Sequence, residues 1–129
     1  MAKTAAELVA EAKARTENVT PEQVQHEVEG GALLVDLREP NERSDNGSVP
    51  GAVAAPRGML EFWADPSSSY HRPEFDPTRR VILHCASGGR SALAADTLKE
   101  LGYGNVAHMD GGFNLWKEQG KPVEREAPG

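Results

Sequence analysis

The chain of 129 residues contains a single cysteine, Cys85, and few aromatic side chains, which make up 5% of the sequence. A lone cysteine excludes an internal disulfide, and the chain therefore lacks the cysteine framework of small secreted domains. Cys85 also has no resolving cysteine within its own chain. The length suits one domain, and the small aromatic share predicts a modest core.

The sequence also lacks an excess of positive charge and a long apolar run. Its 14 Lys and Arg residues are outnumbered by 20 Asp and Glu residues, which gives a net charge of -6. This balance repels nucleic-acid phosphates and anionic lipids, so we expect neither nucleic acid nor a membrane as partner. Near the N-terminus, Glu7, Glu11 and Lys13 interrupt the apolar residues, which excludes a signal-peptide core or membrane span there. We expect a cytoplasmic protein.

Helix and strand signals alternate along the chain. Capping-box spacing at Thr4 and Glu7 predicts a short first helix, and Thr20 followed by Pro21 marks the start of a second. With periodicity and terminating glycines, these signals predict helices over 5–15, 21–29, 58–63, 91–101 and 113–119. Continuous apolar runs predict strands over 32–37, 52–55, 81–84 and 106–109. The polar stretches 38–50 and 65–78 are expected to be loops.

This alternation predicts an α/β fold with a central, mainly parallel sheet and helices on both faces, because parallel strands need crossover connections. We divide the chain into an N-terminal helical appendage (1–17), one domain (18–122) and a flexible tail (123–129) with too little apolar content to pack.

One segment between a buried strand and a helix carries the residue types of a reactive centre: Cys85, Ala86, Ser87, Gly88, Gly89, Arg90 and Ser91. The carboxyl end of a parallel strand is where open α/β sheets hold ligands. The two glycines let the loop curl and point several N–H groups at one spot, and the helix N-terminus adds to that field. Such surroundings lower the pKa of a thiol, so we expect Cys85 to be a nucleophilic thiolate.

The length of this loop favours one kind of anion. Four residues separate Cys85 from Arg90, whereas the loop of cysteine-dependent phosphatases has five between the same residue types. A tighter ring suits one extra sulfur atom beside the thiolate better than a tetrahedral phosphate or arsenate. Loop N–H donors would stabilise a persulfide as an oxyanion hole stabilises charge.

The chain resembles rhodanese domains in four segments, namely 36–39, 47–52, 85–91 and the Gly111-Gly112-Phe113 run with Trp116. The resemblance extends over about residues 20 to 120. It implies a rhodanese-like fold with a five-stranded parallel sheet, a persulfide formed on Cys85 and a cradle of loop amides. It also implies a small sulfur donor such as thiosulfate and an acceptor that is cyanide, a thiol or a cysteine on another protein.

Two positions depart from the pattern of the family. Ser48 stands where histidine is common, in a segment that is usually structural, and Ala86 stands where many thiosulfate-using members have a basic residue. The second departure leaves the identity of the sulfur donor open. The segment 56–62 resembles that of small bacterial single-domain members, and on this basis Arg57 is a candidate for a side chain facing the site.

Several side chains near the loop have two readings. Ser91 either bonds the persulfide or caps the following helix, and capping is the better supported role. Arg90 is either an electrostatic residue or an anchor bonded to Asp36 or Glu39, and the anchor is slightly favoured. Asp36 is expected to be structural, because an acid beside the thiolate would raise the pKa of that thiol.

The histidines suggest no metal site. Strand alternation places His84 on the face opposite Cys85, and His26, His71 and His108 show no ligand spacing with Cys85 or one another. We expect neither metal nor cofactor.

Two functions compete with sulfur transfer. A catalytically silent interaction module could use the same fold, although such modules often lack the cysteine. Phosphatase or arsenate reductase activity is disfavoured by the loop length and by the missing resolving cysteine.

Overall fold

The computed structural model describes residues 2–125. Its strands are β1 (Glu17–Val19), β2 (Leu33–Asp36), β3 (Val53–Ala54), β4 (Val81–His84) and β5 (Val106–Met109). Its α-helices are α1 (Ala5–Arg15), α2 (Pro21–Glu29), α3 (Pro40–Asn46), α4 (Leu60–Ala64), α5 (Gly89–Glu100) and α6 (Gly112–Glu118), and a short 3-10 helix (Arg57–Met59) precedes α4. The strands pair in parallel in the order β1-β5-β4-β2-β3. The predicted α/β fold with a five-stranded parallel sheet is confirmed.

Two apolar clusters lie on opposite faces of this sheet. Side chains alternate between faces along each strand, so Val81 and Leu83 join the cluster that holds Cys85, while Ile82 joins the other. Helix α5 covers the first face, and α2 and α6 cover the second. Helices on both faces explain why the central strands are buried throughout and read as continuous apolar runs.

Helix α3 occupies part of a segment that we expected to be a loop. The expectation for 38–50 was wrong over 40–46, where Pro40 lies in the first turn and Glu39 and Glu42 form a reciprocal capping box. None of the helical residues is buried. Without an apolar face the segment shows no helical periodicity, which is why its composition resembled a loop.

Strand β1 was not predicted. Only Val19 of its three residues is buried, and the strand pairs with β5 at one edge of the sheet. A three-residue edge strand with one buried side chain shows neither alternation nor an apolar run, so the sequence offers no strand signal there.

The segments outside 18–122 contact the rest of the described chain, although the proposed boundaries themselves stay a prediction. Helix α1 lies against α5, with Ala12 fully buried and Arg15 paired with Asp96 at 2.6 Å. In the segment predicted as a flexible tail, Glu124 exchanges two backbone hydrogen bonds with Ser48, and residues 126–129 lie outside the described part. Within residues 2–125, no helix combines the length and apolar character that spanning a bilayer requires.

Candidate active site

Cys85 lies immediately after β4, on the face of the sheet that α5 covers, and only 1% of it is exposed. The loop 85–88 then leads directly into α5. His84 points to the other face, where its ring lies 6.5 Å from that of Phe113. The predicted segregation of His84 from the thiol is therefore observed.

The Cys85 sulfur is surrounded by hydrogen-bond donors. The Gly88 N–H donates to Sγ at 3.2 Å, and the Ser91 hydroxyl oxygen lies 3.6 Å from Sγ. Burial by itself raises the pKa of the thiol, but the Ser91 hydroxyl and the backbone N–H groups of Ser91, Gly88 and Ser87 outweigh it. The net pKa lies below the ordinary value, which favours the thiolate.

Gly88 makes this geometry accessible. Its φ of 111° lies in the left-handed region, which an L-residue with a Cβ enters only at a cost. Gly88 is also the N-cap of α5, so the residue that directs its N–H at sulfur also starts the helix. The sulfur consequently lies at the positive end of the α5 dipole.

The N-terminus of α6 holds the loop through backbone hydrogen bonds. The Phe113 N–H donates to the Cys85 carbonyl at 2.8 Å, and the Asn114 N–H donates to the Ala86 carbonyl at 3.0 Å. A Cβ on Gly112 would lie 2.6 Å from the Ala86 carbonyl oxygen and 2.7 Å from that of Cys85. Only glycine permits this approach, so the Gly111-Gly112 pair is a structural part of the site.

Replacing Gly112 by alanine is expected to destabilise the protein by about 2 kcal/mol or more, because left-handed strain adds to a clash with backbone. The displaced loop should raise the Cys85 thiol pKa, since its N–H donors move from sulfur. Urea unfolding and the pH dependence of Cys85 alkylation measure the two effects. Gly104→Ala is the control, because a Cβ there meets nothing within 4 Å. Equal stability of both variants would contradict the expectation.

Arg90 anchors the active-site loop, but to a partner that we did not predict. Its guanidinium forms two hydrogen bonds with Glu42 of α3, at 2.7 and 2.9 Å, rather than bonding Asp36 or Glu39. The Arg90 contact lowers the pKa of Glu42 to about 2. The pKa of Arg90 is raised, chiefly by Glu42 and to a smaller extent by Cys85, so its charge also reaches the sulfur.

The Arg90–Glu42 pair should make the stability of the protein depend on pH. Because the folded pKa of Glu42 lies below its ordinary value, its contribution to stability is present above about pH 4.5 and is lost as the pH falls toward 2. We expect Glu42→Gln to lower stability at neutral pH by less than about 1 kcal/mol, since the pair is partly exposed. The difference from wild type should vanish on acidification. Thermal unfolding between neutral and acid pH measures this, and a difference independent of pH would contradict it.

Asp36 forms a buried ion pair with Arg38, and its structural role stays a prediction. The carboxylate is fully buried and bonds Arg38 through both oxygens, at 3.1 and 2.9 Å. Burial raises its pKa, but the bonds from Arg38 and the nearby His84 outweigh that effect and leave the net pKa lowered. Arg38, buried and stacked 4.0 Å above the Phe113 ring, links β2 to α6. Its position two residues after a strand-ending acid was the available signal.

Arg57 lies in the 3-10 helix with its guanidinium 2.7 Å from the Glu61 carboxylate. Its backbone N–H donates to the Leu37 carbonyl, next to the end of β2. The orientation of its side chain toward the active site stays a prediction.

His108 is the functional candidate that sequence reasoning passed over. Its ring is fully buried, and its Nδ1 lies 3.1 Å from the Ser91 hydroxyl oxygen. Alternation along β5 was the available signal, because Ala107 and Met109 face the second cluster and His108 therefore faces the side of Cys85. Among residues 2–125, no group of three or more His, Cys, Asp or Glu side chains is arranged to hold a metal ion.

Comparison with known proteins identifies the family. The model of the rhodanese-like domain matches residues 20–119, which include the whole loop and the Gly111-Gly112 support. The chain belongs to the rhodanese-like family. The match begins after α1 and β1, so those elements of the rhodanese-like chain lie outside it.

Relatives within the rhodanese-like family carry sulfurtransferase names. The chain is 33% identical over 91 residues to a protein of Allochromatium vinosum named sulfurtransferase, covering 70% of this chain and 77% of the relative. It is 32% identical over 99 residues to the thiosulfate sulfurtransferase GlpE of Pseudomonas syringae, covering 77% and 85%.

A solved structure from Rhodopseudomonas palustris superposes on the chain with a TM-score of 0.90 and 37% identity. The superposition covers 96% of both chains. That protein is described as having an unknown function and as a possible tyrosine phosphatase. The likeness covers α1 and β1 as well as the family domain, so these elements recur outside this chain.

Proposed function

We propose that this rhodanese-like protein is a sulfurtransferase that carries a sulfane sulfur on Cys85 as a persulfide. The observation that carries the proposal is the Gly88 N–H directed at the Cys85 sulfur from 3.2 Å, in a loop that leads into α5. This arrangement favours the thiolate before reaction and a terminal sulfur anion after it. The names of the sulfurtransferase relatives support the same reaction class.

The first half-reaction forms one S–S bond and breaks another. The Cys85 thiolate attacks the outer sulfur of thiosulfate, and the bond between the two thiosulfate sulfurs breaks. Its electron pair leaves with sulfite. The added sulfur stays on Cys85 as a persulfide anion, so no net charge develops on the protein. Loop N–H donors then stabilise this anion as they stabilised the thiolate.

The second half-reaction returns the enzyme to its starting state. Cyanide or a thiolate attacks the terminal sulfur, and the Cys85–sulfur bond breaks with its electron pair returning to Cys85. The products are thiocyanate or a new persulfide on the acceptor. The low pKa of Cys85 makes its thiolate a good leaving group in this step. A small thiol or a cysteine on an acceptor protein fits the same chemistry.

The position of the sulfur limits the donor. With 1% of Cys85 exposed, a donor has to present a terminal sulfur rather than one shielded on both sides. Thiosulfate and polysulfides meet this requirement. Positive charge for an anionic donor comes from Arg90 and from Lys13, whose Nζ lies 3.8 Å from where a Cβ on Gly88 would be. A reducing cytoplasm, which keeps a lone thiol free, suits such a reaction.

The test is intact mass of the purified protein after incubation with thiosulfate, followed by addition of cyanide. We expect a gain of one sulfur atom and its loss on cyanide treatment, with thiocyanate in the supernatant. Parallel incubations with polysulfide and mercaptopyruvate identify the donor. No adduct with any of the three donors would refute the proposal and favour a binding module.

Phosphate-ester hydrolysis is the alternative raised by the Rhodopseudomonas palustris description. The chain has one residue fewer between Cys85 and Arg90 than cysteine-dependent phosphatases have. Both terminal nitrogens of Arg90 bond Glu42, so the guanidinium contributes positive charge near the sulfur but is held by a carboxylate where a phosphate would need it. Incubation with p-nitrophenyl phosphate tests this alternative directly, and we expect no turnover above that of the buffer.

A further inference from the structure

A chain of hydrogen-bonding side chains leads from the active-site sulfur to the edge of the sheet. Ser91 Oγ lies 3.6 Å from Cys85 Sγ and 3.1 Å from His108 Nδ1. On the far side of the imidazole, His108 Nε2 lies 2.6 Å from Oδ1 of Asn18 in β1. Cys85, Ser91 and His108 are all buried, so bulk water does not substitute for these contacts.

Asn18 fixes which nitrogen of His108 carries a hydrogen. The Asn18 Nδ2 group donates to the carbonyls of Lys13 and Thr16, at 3.0 Å each, which leaves Oδ1 facing the imidazole. An amide oxygen only accepts, so His108 Nε2 must carry a hydrogen. In the neutral ring, Nδ1 then has a bare lone pair, and its partner in the structure is the Ser91 hydroxyl.

The single hydroxyl hydrogen of Ser91 can also be donated to the Gly88 carbonyl oxygen, 3.3 Å away. Two arrangements of the same heavy atoms link the sulfur to the imidazole. In one, the Cys85 thiol donates to Ser91 and Ser91 donates to the neutral His108. In the other, protonated His108 donates to Ser91 and Ser91 donates to the Cys85 thiolate. The two arrangements differ by moving two hydrogens along the chain and contain the same number of protons.

We infer that His108 is a positioning residue for Cys85, taking up the thiol proton through Ser91 so that thiolate and imidazolium form together. The S–H bond breaks with its electron pair staying on sulfur, Ser91 gains that proton, and the original Ser91 proton goes to His108 Nδ1. No oxidant or cofactor is needed. The inference rests on the proposed function only in that the thiolate is the working form of Cys85.

The groups around His108 shift the pKa of its imidazole in opposite directions. Burial lowers the pKa of its ring, the Asp110 carboxylate beyond the end of β5 raises it, and Lys13 on α1 lowers it. Lys13 and Asp110 also pair with each other at 3.5 Å, which reduces the net effect of both. Burial is the largest of these effects, so the net pKa of the ring is lowered, which favours the neutral imidazole. The thiolate supplies the negative charge that stabilises the imidazolium, and the coupling is reciprocal.

The first test needs no substitution at His108. Long-range ¹⁵N spectra of the protein against pH report the tautomer and pKa of each imidazole. We expect hydrogen on Nε2 of neutral His108, and a His108 pKa higher in wild type than in Cys85→Ser by about one unit or more, a tenfold change in the equilibrium constant. Hydrogen on Nδ1, or the same His108 pKa in both proteins, would overturn the inference.

The second test measures the other half of the coupling. His108→Asn keeps an amide near the position of Nδ1 but cannot take up a proton. The Cys85 thiol pKa, from the pH dependence of iodoacetamide alkylation followed by intact mass, should rise by the same amount, with about tenfold slower alkylation near pH 6. His26→Asn, which removes an imidazole from α2, should alkylate like wild type. An unchanged thiol pKa in His108→Asn would also overturn the inference.

These results are independent of sulfur transfer. If both pKa shifts are found and no sulfur donor loads Cys85, the proposed function fails while the inference about His108 stands. If sulfur loads Cys85 and neither pKa shift is found, the inference alone fails.

Discussion

Cys85→Ser is expected to abolish sulfur uptake and to lower any thiocyanate production by at least about a thousandfold. A serine hydroxyl stays protonated at neutral pH, and it cannot form the S–S bond that a persulfide requires. Serine is close in size to cysteine and can accept the Gly88 N–H bond that the sulfur accepts at 3.2 Å. We therefore expect the variant to fold, with a stability within about 1 kcal/mol of wild type.

The control for this prediction retains the thiol and changes its neighbour. Ser87 is exposed and interacts with the thiol through its backbone N–H, so Ser87→Ala should still gain one sulfur from the donor. Intact mass and thiocyanate release compare the three proteins after thiosulfate treatment. Sulfur uptake by the Cys85→Ser protein would show that another group carries the sulfur, since the chain has no second cysteine.

Arg38→Ala is expected to lower the free energy of unfolding by about 3–5 kcal/mol, the usual cost of breaking a buried ion pair. Arg38 is 2% exposed, and besides its bonds to Asp36 it donates to the Gly47 carbonyl at 2.8 Å. Its removal leaves a buried carboxylate with less compensating charge and opens space beside the Phe113 ring. A loss of this size is a large part of the stability of a typical domain.

Further variants separate the effect of charge from that of packing around Arg38. Adding Asp36→Asn to Arg38→Ala removes the uncompensated charge, so the double variant should be more stable than the sum of the single losses predicts. Arg57→Ala, which breaks a partly exposed pair with Glu61, should cost less than about 1 kcal/mol. Urea unfolding measures five proteins: wild type, the single variants Arg38→Ala, Asp36→Asn and Arg57→Ala, and the double variant. A loss below 1 kcal/mol for Arg38→Ala would show that the buried pair contributes little.

The central sheet and the reactive loop could be predicted because their signals are local. The apolar runs at 33–36 and 81–84 are buried on both faces, and Gly88 and Gly89 follow Cys85 directly in the chain. Helix α3 lacked such a signal because none of its residues is buried. A helix with no buried face leaves no apolar periodicity for sequence analysis to find.

The hydrogen-bond partners of the candidate site residues were harder to predict than the position of the loop. Glu42 lies 48 residues before Arg90 in the chain, and their pairing depends on where α3 places the carboxylate. Several acids precede Arg90 at similar distance, so charge alone does not select Glu42 over Glu39. His108 was considered only as a metal ligand and rejected, whereas in the structure its Nδ1 contacts the Ser91 hydroxyl.

The support of the loop by α6 determines when, during synthesis, the loop around Cys85 can take up its observed arrangement. Cys85 leaves the ribosome before β5 and α6, yet the α6 N–H groups hold the Cys85 and Ala86 carbonyls, and β5 contributes His108. Strand β1 is synthesised first, but within the described chain it pairs only with β5. It therefore cannot join the sheet until β5 has been synthesised. A nascent chain that ends before α6 thus lacks the N–H donors that hold the two loop carbonyls. The loop reaches its observed arrangement only after nearly all of the rhodanese-like domain has been translated.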